Sequence, residues 1–569
     1  MNRKRTVLFL QLPALDNDVG GPRENIPLAG LCLRQALERS AESRHFEAEF
    51  LPAGADGLDN AGVVRLIAER RPAVLACTLY LWNVERTLRV VAAVRKMLPD
   101  VGVAAGGPEA AFRHPFLYRS AWANAIVVGE GEPVFAAVLR ALRGGPPPDF
   151  RTVAWRRGRR YAWGRRTPAP AGPRDFVPAT GPAGINPDAN GLGYLETTRG
   201  CPLRCTFCRY HHFRRGVAAL PPDEVVRRAR QLAERGAKEI KFADPTFNAH
   251  PRLAEILLGL ARLNRRRRLK FFAEVRADTL TDAQAALLAA ANFTEIEIGL
   301  QSRDPAVLRT IRRPTDLAAL ERGVRALTRR GIRVTLDVMY GLPHQRRRDV
   351  LAAVGWGRRR RGVRVQCLPT LLLPGTDLRE RAAEWGLVAP PRPPYGVLST
   401  PALSRDAMLR IEAFLSATPG LPADSPTARF VGNVLPGLFA ERHAIVLPRA
   451  ADRAGVPGTA NRRTLVLRGS DLFACRREIR GILRRAVHRE PDCLWQFVLC
   501  PEREEPLDTL DLMLRELRRA PAHWLDRSAG PCLSGRMAAR RIMVLLRRGQ
   551  RYDRAWRRAA ESFLRRSFY

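Results

Sequence analysis

Twice along this 569-residue chain, short apolar runs alternate with amphipathic stretches at the spacing of one strand and one helix. That alternation constrains the fold more than any other feature. In the first stretch the apolar runs are Thr6–Gln11, Glu47–Leu51, Ala73–Thr78, Val101–Ala105 and Ala125–Val128. Segments between them, such as "VERTLRVVAAVRKML", carry apolar residues at helical spacing. Such repeats predict an α/β fold, a parallel sheet with helices on both faces. Five strands predict the flavodoxin-like (Rossmann-type) arrangement, whose ligand lies beyond the carboxyl ends of the strands. The second stretch repeats the pattern six times, with strands at Tyr194–Thr197, Glu239–Ala243, Lys270–Glu274, Glu295–Leu300, Arg333–Val338 and Arg364–Leu368. It predicts a partial (β/α)6 barrel with its chemistry at the carboxyl ends of the strands.

The chain is expected to divide into 1–145, a linker at 146–190, a barrel at 191–402 and a C-terminal segment at 403–569. The linker is rich in Pro, Gly and Arg, and its "TVAWRRGRRYAWG" suits a short hairpin. In the last segment only Thr464–Gly469 and Leu494–Cys500 read as strands among basic helices, which predicts a small α+β module.

Composition bounds the partners. No run approaches the roughly 20 apolar residues that span a bilayer. The N-terminal run Val7–Leu12 is too short for a signal peptide and is followed by Asp16 and Asp18. A cytoplasmic protein with reduced thiols is expected. The net charge of +40 comes almost wholly from arginine, since lysine occurs only at Lys4, Lys96, Lys238, Lys241 and Lys270. GC-rich coding explains arginine in place of lysine but not 96 basic against 56 acidic residues. An acidic partner, such as a peptide, is therefore left open. Nucleic acid is disfavoured because no nucleic-acid module pattern is present. The runs Arg265–Arg268 and Arg358–Arg361 read as solvated helix ends and loops.

Three of the ten cysteines crowd into "GCPLRCTFCRY", at Cys201, Cys205 and Cys208, just past the first barrel strand. Thiolates select zinc, copper(I) or iron–sulfur clusters. Structural zinc takes four ligands, usually as two close pairs, and here no second pair lies nearby; His211 and His212 follow without a zinc-finger spacing. A [4Fe–4S] cube can be held at three irons by one such loop, leaving the fourth iron open. Cys32, Cys77, Cys367, Cys475, Cys493, Cys500 and Cys532 fall mostly in apolar runs and read as inert buried thiols.

C-x3-C-x2-C with an aromatic at Phe207 resembles the radical S-adenosylmethionine (SAM) enzymes. The resemblance implies a [4Fe–4S] cluster whose open iron takes the amino and carboxylate groups of SAM. It also implies SAM contacts from Phe207, from Asp244 and Asn248 in "EIKFADPTFN", from Glu274 and Arg276 in "FFAEVRAD", and from Gln301 in "IEIGLQS". "EIKFADPTFN" departs from the Gly-Gly-Glu form of many members. A polar residue at a strand end can equally be a cap. "DVMYGLPHQ", "LLLPGTDL" and "PPYGVLST" are similar to the later barrel segments.

The first stretch resembles the cobalamin-binding domain of one radical SAM subfamily, through "QLPALDNDVGG", "LYLWNVER", "AAGGPEA" and "VVGEGEPVF". The resemblance implies cobalamin contacts from Leu12, Tyr80, Asn83, Gly106, Gly107, Pro108, Glu109, Gly129 and Glu130. Glycine turns there would let backbone approach a large flat ligand. Residues 1–113 hold only His45, outside any D-x-H-x-x-G pattern. Cobalt is therefore expected to have no histidine below it, and the Tyr80–Asn83 loop is the candidate for that face.

Together the resemblances imply a cobalamin-dependent radical SAM C-methyltransferase acting on a carbon of a small-molecule natural-product precursor or a peptide. A flavodoxin- or ferredoxin-type electron donor would serve it. "LYLWNVER" and "PPYGVLST" are similar to the branch containing the tryptophan C-methyltransferase of thiopeptide biosynthesis, which moves methyl without hydrogen abstraction. Ring closure or rearrangement without methyl transfer stays open, as does, more remotely, a nucleic-acid-binding iron–sulfur protein. The tRNA methylthiotransferases carry three further cluster cysteines before the barrel, whereas only Cys32 and Cys77 occur here.

Overall fold

The computed structural model describes residues 3–15, 25–177, 186–188, 190–212, 214, 216–419, 421, 430–448, 458–527 and 539–568. Cys532 lies outside them, as does most of the loop that follows the first strand.

The first sheet is built on β1 (Arg5–Leu10), β2 (Phe46–Phe50), β3 (Val74–Thr78), β4 (Gly102–Gly106) and β5 (Ala125–Val127), all parallel and in the order β2-β1-β3-β4-β5. This is the flavodoxin-like order anticipated from the five apolar runs. Val7 to Leu10 and all of β3 are buried, as expected of strands covered on both faces. The hairpin expected inside the linker forms as β6 (Val153–Arg157) and β7 (Arg160–Trp163). It pairs antiparallel with β5, so that part of 146–190 extends the first sheet.

The second sheet has six parallel strands: β8 (Leu192–Leu195), β11 (Glu239–Phe242), β12 (Lys270–Val275), β13 (Phe293–Gln301), β14 (Arg333–Tyr340) and β15 (Val363–Pro369). Each lies within a few residues of an expected strand. They follow one another in order from β8 to β15, and the two ends are not paired, which is the partial barrel. Phe242, Phe247, Phe271 and Phe293 pack ring to ring at its base, with centroids 4.4 Å apart for Phe242–Phe247 and 5.3 Å for Phe271–Phe293. Between β8 and β11 a short antiparallel pairing, β9 (Thr198–Arg199) with β10 (Ala218–Ala219), closes the base of the cysteine loop. The helix Arg405–Ala417 turns Met408, Ile411 and Leu415 into the barrel core.

The C-terminal segment corrects the expectation of an α+β module. It holds five strands, β16 (Val431–Gly432), β17 (Glu441–Leu447), β18 (Arg462–Gly469), β19 (Leu494–Pro501) and β20 (Arg540–Leu545), all parallel and in the order β16-β20-β19-β18-β17. With helices at Arg476–Arg489 and Leu507–Arg519 between them, this is a third α/β layer. β17 and β20 begin with Glu-Arg-His and Arg-Arg, which masked their apolar cores.

The amino ends of this third sheet dock on the first domain. Asp492 accepts from Asn60 and from Arg89 Nε, each at 2.7 Å, and buried Arg463 pairs with buried Asp59. Arg527 joins all three units, donating to Glu85 Oε2 at 2.6 Å and to the Pro393 carbonyl at 2.9 Å. Beside these pairs lies buried His523, whose Nδ1 accepts from the Leu525 amide. Burial, with Arg540, Arg89 and Arg527 nearby, pushes its imidazole from 6.5 to about 3 despite Asp492. The folded chain thus refuses a proton that the unfolded chain accepts once pH falls below the ordinary histidine value, so stability drops on acidification. Thermal unfolding from pH 7.5 to about 5 should show a falling midpoint, and His523→Gln should flatten that slope. An equal slope in both proteins contradicts this assignment.

Candidate functional site

The cysteine loop begins where β9 ends. Gly200 takes φ +101°, and a Cβ there would stand 2.4 Å from the Gly216 carbonyl oxygen, so only glycine fits the close return of the chain. Beyond it Cys205 is buried and Cys201 and Cys208 are half-buried. The Cys208 amide donates to the Cys205 carbonyl at 3.1 Å, making a tight turn. Barrel loops hold that turn: Thr206 donates its amide to Ile311 and accepts from the Leu378 amide. Phe207 packs against the cluster of Val307, Leu308, Ile311 and Leu342.

A single buried carboxylate sets the entry to this loop. Asp244, after β11, accepts from the amides and hydroxyls of both Thr197 and Thr198. It was expected to face SAM, but those four donors consume its oxygens and make it a positioning residue. Burial pushes it up to about 6 against those bonds. Asn248 is corrected likewise: it braces the backbone of Arg276, donating to its carbonyl and accepting from its amide, each at 2.9 Å.

The three thiols share one cavity, of about 150 Å³, with Phe207, Glu274, Arg276 and Gln301. The Arg276 guanidinium is committed to Asp278 and the Pro314 carbonyl. Gln301 follows a register shift in β13 and takes φ +63°, a strained backbone for a residue with a Cβ. Its Oε1 is buried and has no hydrogen-bond partner. Among the lining residues not singled out from sequence are Thr246, Glu297, Arg313 and Asp337. Thr246 Oγ1 lies 3.7 Å from Cys201 Sγ, and Arg313 Nη1 lies 3.8 Å from Cys205 Sγ. The period-2 alternation that puts Glu297 on the face of Gly299 and Gln301 was the available signal for Glu297. Burial and the neighbouring Glu297 push Glu274 up to about 7 and Asp337 up to about 9.

The edge loops of the first sheet meet this cavity from the other side. Gly107 has φ +105°, and a Cβ would press within 2.9 Å of the Leu79 backbone; Gly129 has φ +89°. Tyr80 stacks on Trp82 at 4.3 Å, with planes 6° apart. Tyr210, 57% exposed, lines the mouth of the cysteine cavity. Several residues expected to contact cobalamin also have side chains or carbonyls engaged within the protein. Asn83 is fully buried and staples the Leu12 and Thr78 carbonyls and the Tyr80 amide. Glu109 is buried against His114 Nε2 at 2.9 Å and the Tyr395 hydroxyl at 2.7 Å. Glu130 pairs with Arg214 and accepts from the Ala171 amide. The Pro108 carbonyl accepts from Arg209. Both nitrogens of His114 are engaged, Nδ1 by the Leu117 amide at 3.0 Å.

Residues 33–139 match the B12 binding domain model and residues 195–356 the radical SAM superfamily model. The chain carries a B12 binding domain followed by a radical SAM domain. It is 26% identical over 389 residues to the cobalamin-dependent radical SAM methyltransferase TokK of Streptomyces tokunonensis, covering 61% of this chain and 56% of that protein. It is 30% identical over 206 residues to 2-(S-pantetheinyl)-carbapenam-3-carboxylate methyltransferase of Streptantibioticus cattleyicolor, covering 33% of this chain and 30% of that one. The chain thus spans about half or less of these curated relatives. In fold it is similar to the radical SAM methyltransferase TsrM of Kitasatospora setae, solved with tryptophan and a SAM analogue. The TM-score is 0.54 at 19% identity, over 68% of this chain and 78% of that one.

The donor sets fit the cofactors these domains take. Among the described residues no group of three or more His, Cys, Asp or Glu side chains closes on a single metal ion. Thiolates sharing one ion must converge in that way, whereas thiolates on separate irons of a cube need not. The unpartnered Gln301 acceptor and the unpartnered Nε of Arg313 suit a polar ligand beside the thiols. Replacing Asp244 by Asn removes an ionic acceptor from four donors, each bond to a charge being worth ~1.5–3 kcal/mol. The variant should fold, with lowered thermal stability, yet bind well under the wild-type iron after anaerobic reconstitution, read by iron analysis. Unchanged iron content contradicts the role given to Asp244.

Proposed function

We propose that this chain is a cobalamin-dependent radical SAM C-methyltransferase acting on a small-molecule or peptide carbon. The observation that carries the reading is the cavity that Cys201, Cys205 and Cys208 share with the unpartnered Gln301 acceptor, on a loop that Arg209 bonds to the 108–110 turn of the first sheet. Cys201, Cys205 and Cys208 would hold a [4Fe–4S] cluster, and Glu274, Gln301 and Arg313 would orient SAM beside it. The 80–82 and 106–107 turns would face cobalamin, with Tyr80 and Trp82 among the residues that would hold it. When bound, these cofactors supply methyl transfer from SAM to carbon by way of cobalt.

The chain's own part is placement. Phe207 and the 307–342 apolar cluster close the cavity to water on the barrel side. Arg313 sets positive charge beside Cys205, and Asp337 and Glu274 sit high enough to carry protons near neutral pH. No helix among the described residues is long and apolar enough to cross a membrane. That suits a cytoplasmic enzyme served by a flavodoxin- or ferredoxin-class donor.

Anaerobic incubation with SAM, hydroxocobalamin, reductant and a panel of precursor molecules tests the reading. A product heavier by one CH2, together with S-adenosylhomocysteine, supports it, and accompanying 5′-deoxyadenosine assigns a radical step. A rearranged product of unchanged mass supports ring chemistry instead. Cys201→Ala, Cys205→Ala and Cys208→Ala should each abolish turnover and the charge-transfer absorbance of the cluster; turnover in any of them refutes the proposal.

A further inference from the structure

Three arginines leave the cysteine loop and end on the edge loops of the first sheet. Arg199, two residues before Cys201, meets Glu132 at 2.8 Å, and Arg214 meets Glu130 at 3.0 Å. Arg209 is the closest to the thiols, being the residue after Cys208. It donates to two backbone carbonyls of one tight turn, Pro108 and Ala110, the second at 2.9 Å. The turn starts at Gly107, whose φ of +105° no other residue adopts without strain. The barrel holds Arg209 from behind, because a Cβ on Gly375 would lie 3.4 Å from its guanidinium carbon. The same turn is held a second time by the barrel-exit residue Tyr395, whose hydroxyl donates to Glu109 at 2.7 Å.

We propose that Arg209 is a positioning residue that couples the two cofactor sites, so that filling the 106–110 turn with cobalamin steadies the cysteine loop and its cluster. This rests on the cofactor assignment above, and it assigns to Arg209 a role beyond that reading. The physical route is short. A ligand resting on the turn restricts the Pro108 and Ala110 carbonyls, and their two bonds fix the guanidinium on the chain beside Cys208. Coupling between two binding equilibria is reciprocal, so a loaded cluster must tighten cobalamin by the same factor. Arg199 and Arg214 reach these edge loops through the carboxylates of Glu132 and Glu130, whereas Arg209 grips the main chain of the 106–110 turn itself.

The test needs no turnover. Full-length protein with a reconstituted cluster is challenged anaerobically with an iron chelator, with and without hydroxocobalamin, and cluster loss is followed by absorbance. In the wild type, cobalamin should slow the loss about fivefold or more, a typical coupling factor. Arg209→Gln should bring that ratio, taken relative to the cluster loaded at the start, close to one, and Arg209→Lys, which keeps one charged donor, should restore part of it. Tyr395→Phe loosens the same turn from its other side, should also lower the ratio, and carries the test if Arg209→Gln does not fold. The proposal is overturned if cobalamin gives no protection to the wild type, or protects the Arg209→Gln and Tyr395→Phe proteins as well as the wild type. Coupling without any methylated product would sink the proposed activity and leave this inference standing; methyl transfer without coupling would do the reverse.

Discussion

The site depends on charge pairs that tie the metal loop to a different domain from the one that carries it. Loops with three cysteines are short and, in the absence of metal, have little apolar content to order them. Here the ordering comes from Arg199, Arg209 and Arg214, whose partners are Glu132, the 108–110 backbone and Glu130. Because those partners sit on β–α turns of the first sheet, the thiols acquire a fixed place relative to the sheet edge. Buried and half-buried ion pairs of this kind are costly to break on one side, since the remaining charge is left unpaired. They therefore specify an arrangement more than they add net stability.

A second layer of polar bonds works inside the barrel. Asp244 fixes the start of the loop through Thr197 and Thr198, and Arg313 reaches Cys205 while its other arm holds the Gly299 carbonyl at 2.5 Å. In contrast, Gln301 is strained and has an unpartnered acceptor, and Glu274, Glu297 and Asp337 crowd one wall. A folded protein tolerates such unsatisfied chemistry where a ligand completes it. The contrast between saturated residues around the cavity and unsatisfied ones within it marks which polar groups build the site and which are left for ligands.

Much of this was legible before any coordinates. The eleven apolar runs of the first two domains became strands within a few residues, because parallel buried strands such as Val74–Thr78 are apolar on both faces. The crowding of the three cysteines just past the first barrel strand singled out the loop that lines the barrel cavity. Legibility failed where function and structure use the same residue types. Asp244, Asn248, Asn83, Glu109 and Glu130 sit in the right loops, but they bind backbone groups, hydroxyls and side chains mostly distant in sequence, such as Tyr395, 286 residues from Glu109, and Arg214, 84 residues from Glu130. Glu297 was legible only through its alternation with Gly299 and Gln301, and Asp337, a carboxylate in mid-strand, gives no local signal. The third domain was underread because β17 and β20 open with charges that pair across to other elements, so their apolar runs looked too short.

The central claim is that cluster and cobalamin occupy one cleft, held together by the arginine bridges. Anaerobic pulsed electron paramagnetic resonance on protein loaded with cob(II)alamin and a reduced cluster measures this directly, through the dipolar interaction between the two paramagnets. A resolved splitting that weakens or broadens when Arg199 and Arg214 are both replaced by Gln is the predicted result. Two non-interacting signals in the wild-type protein would contradict the account.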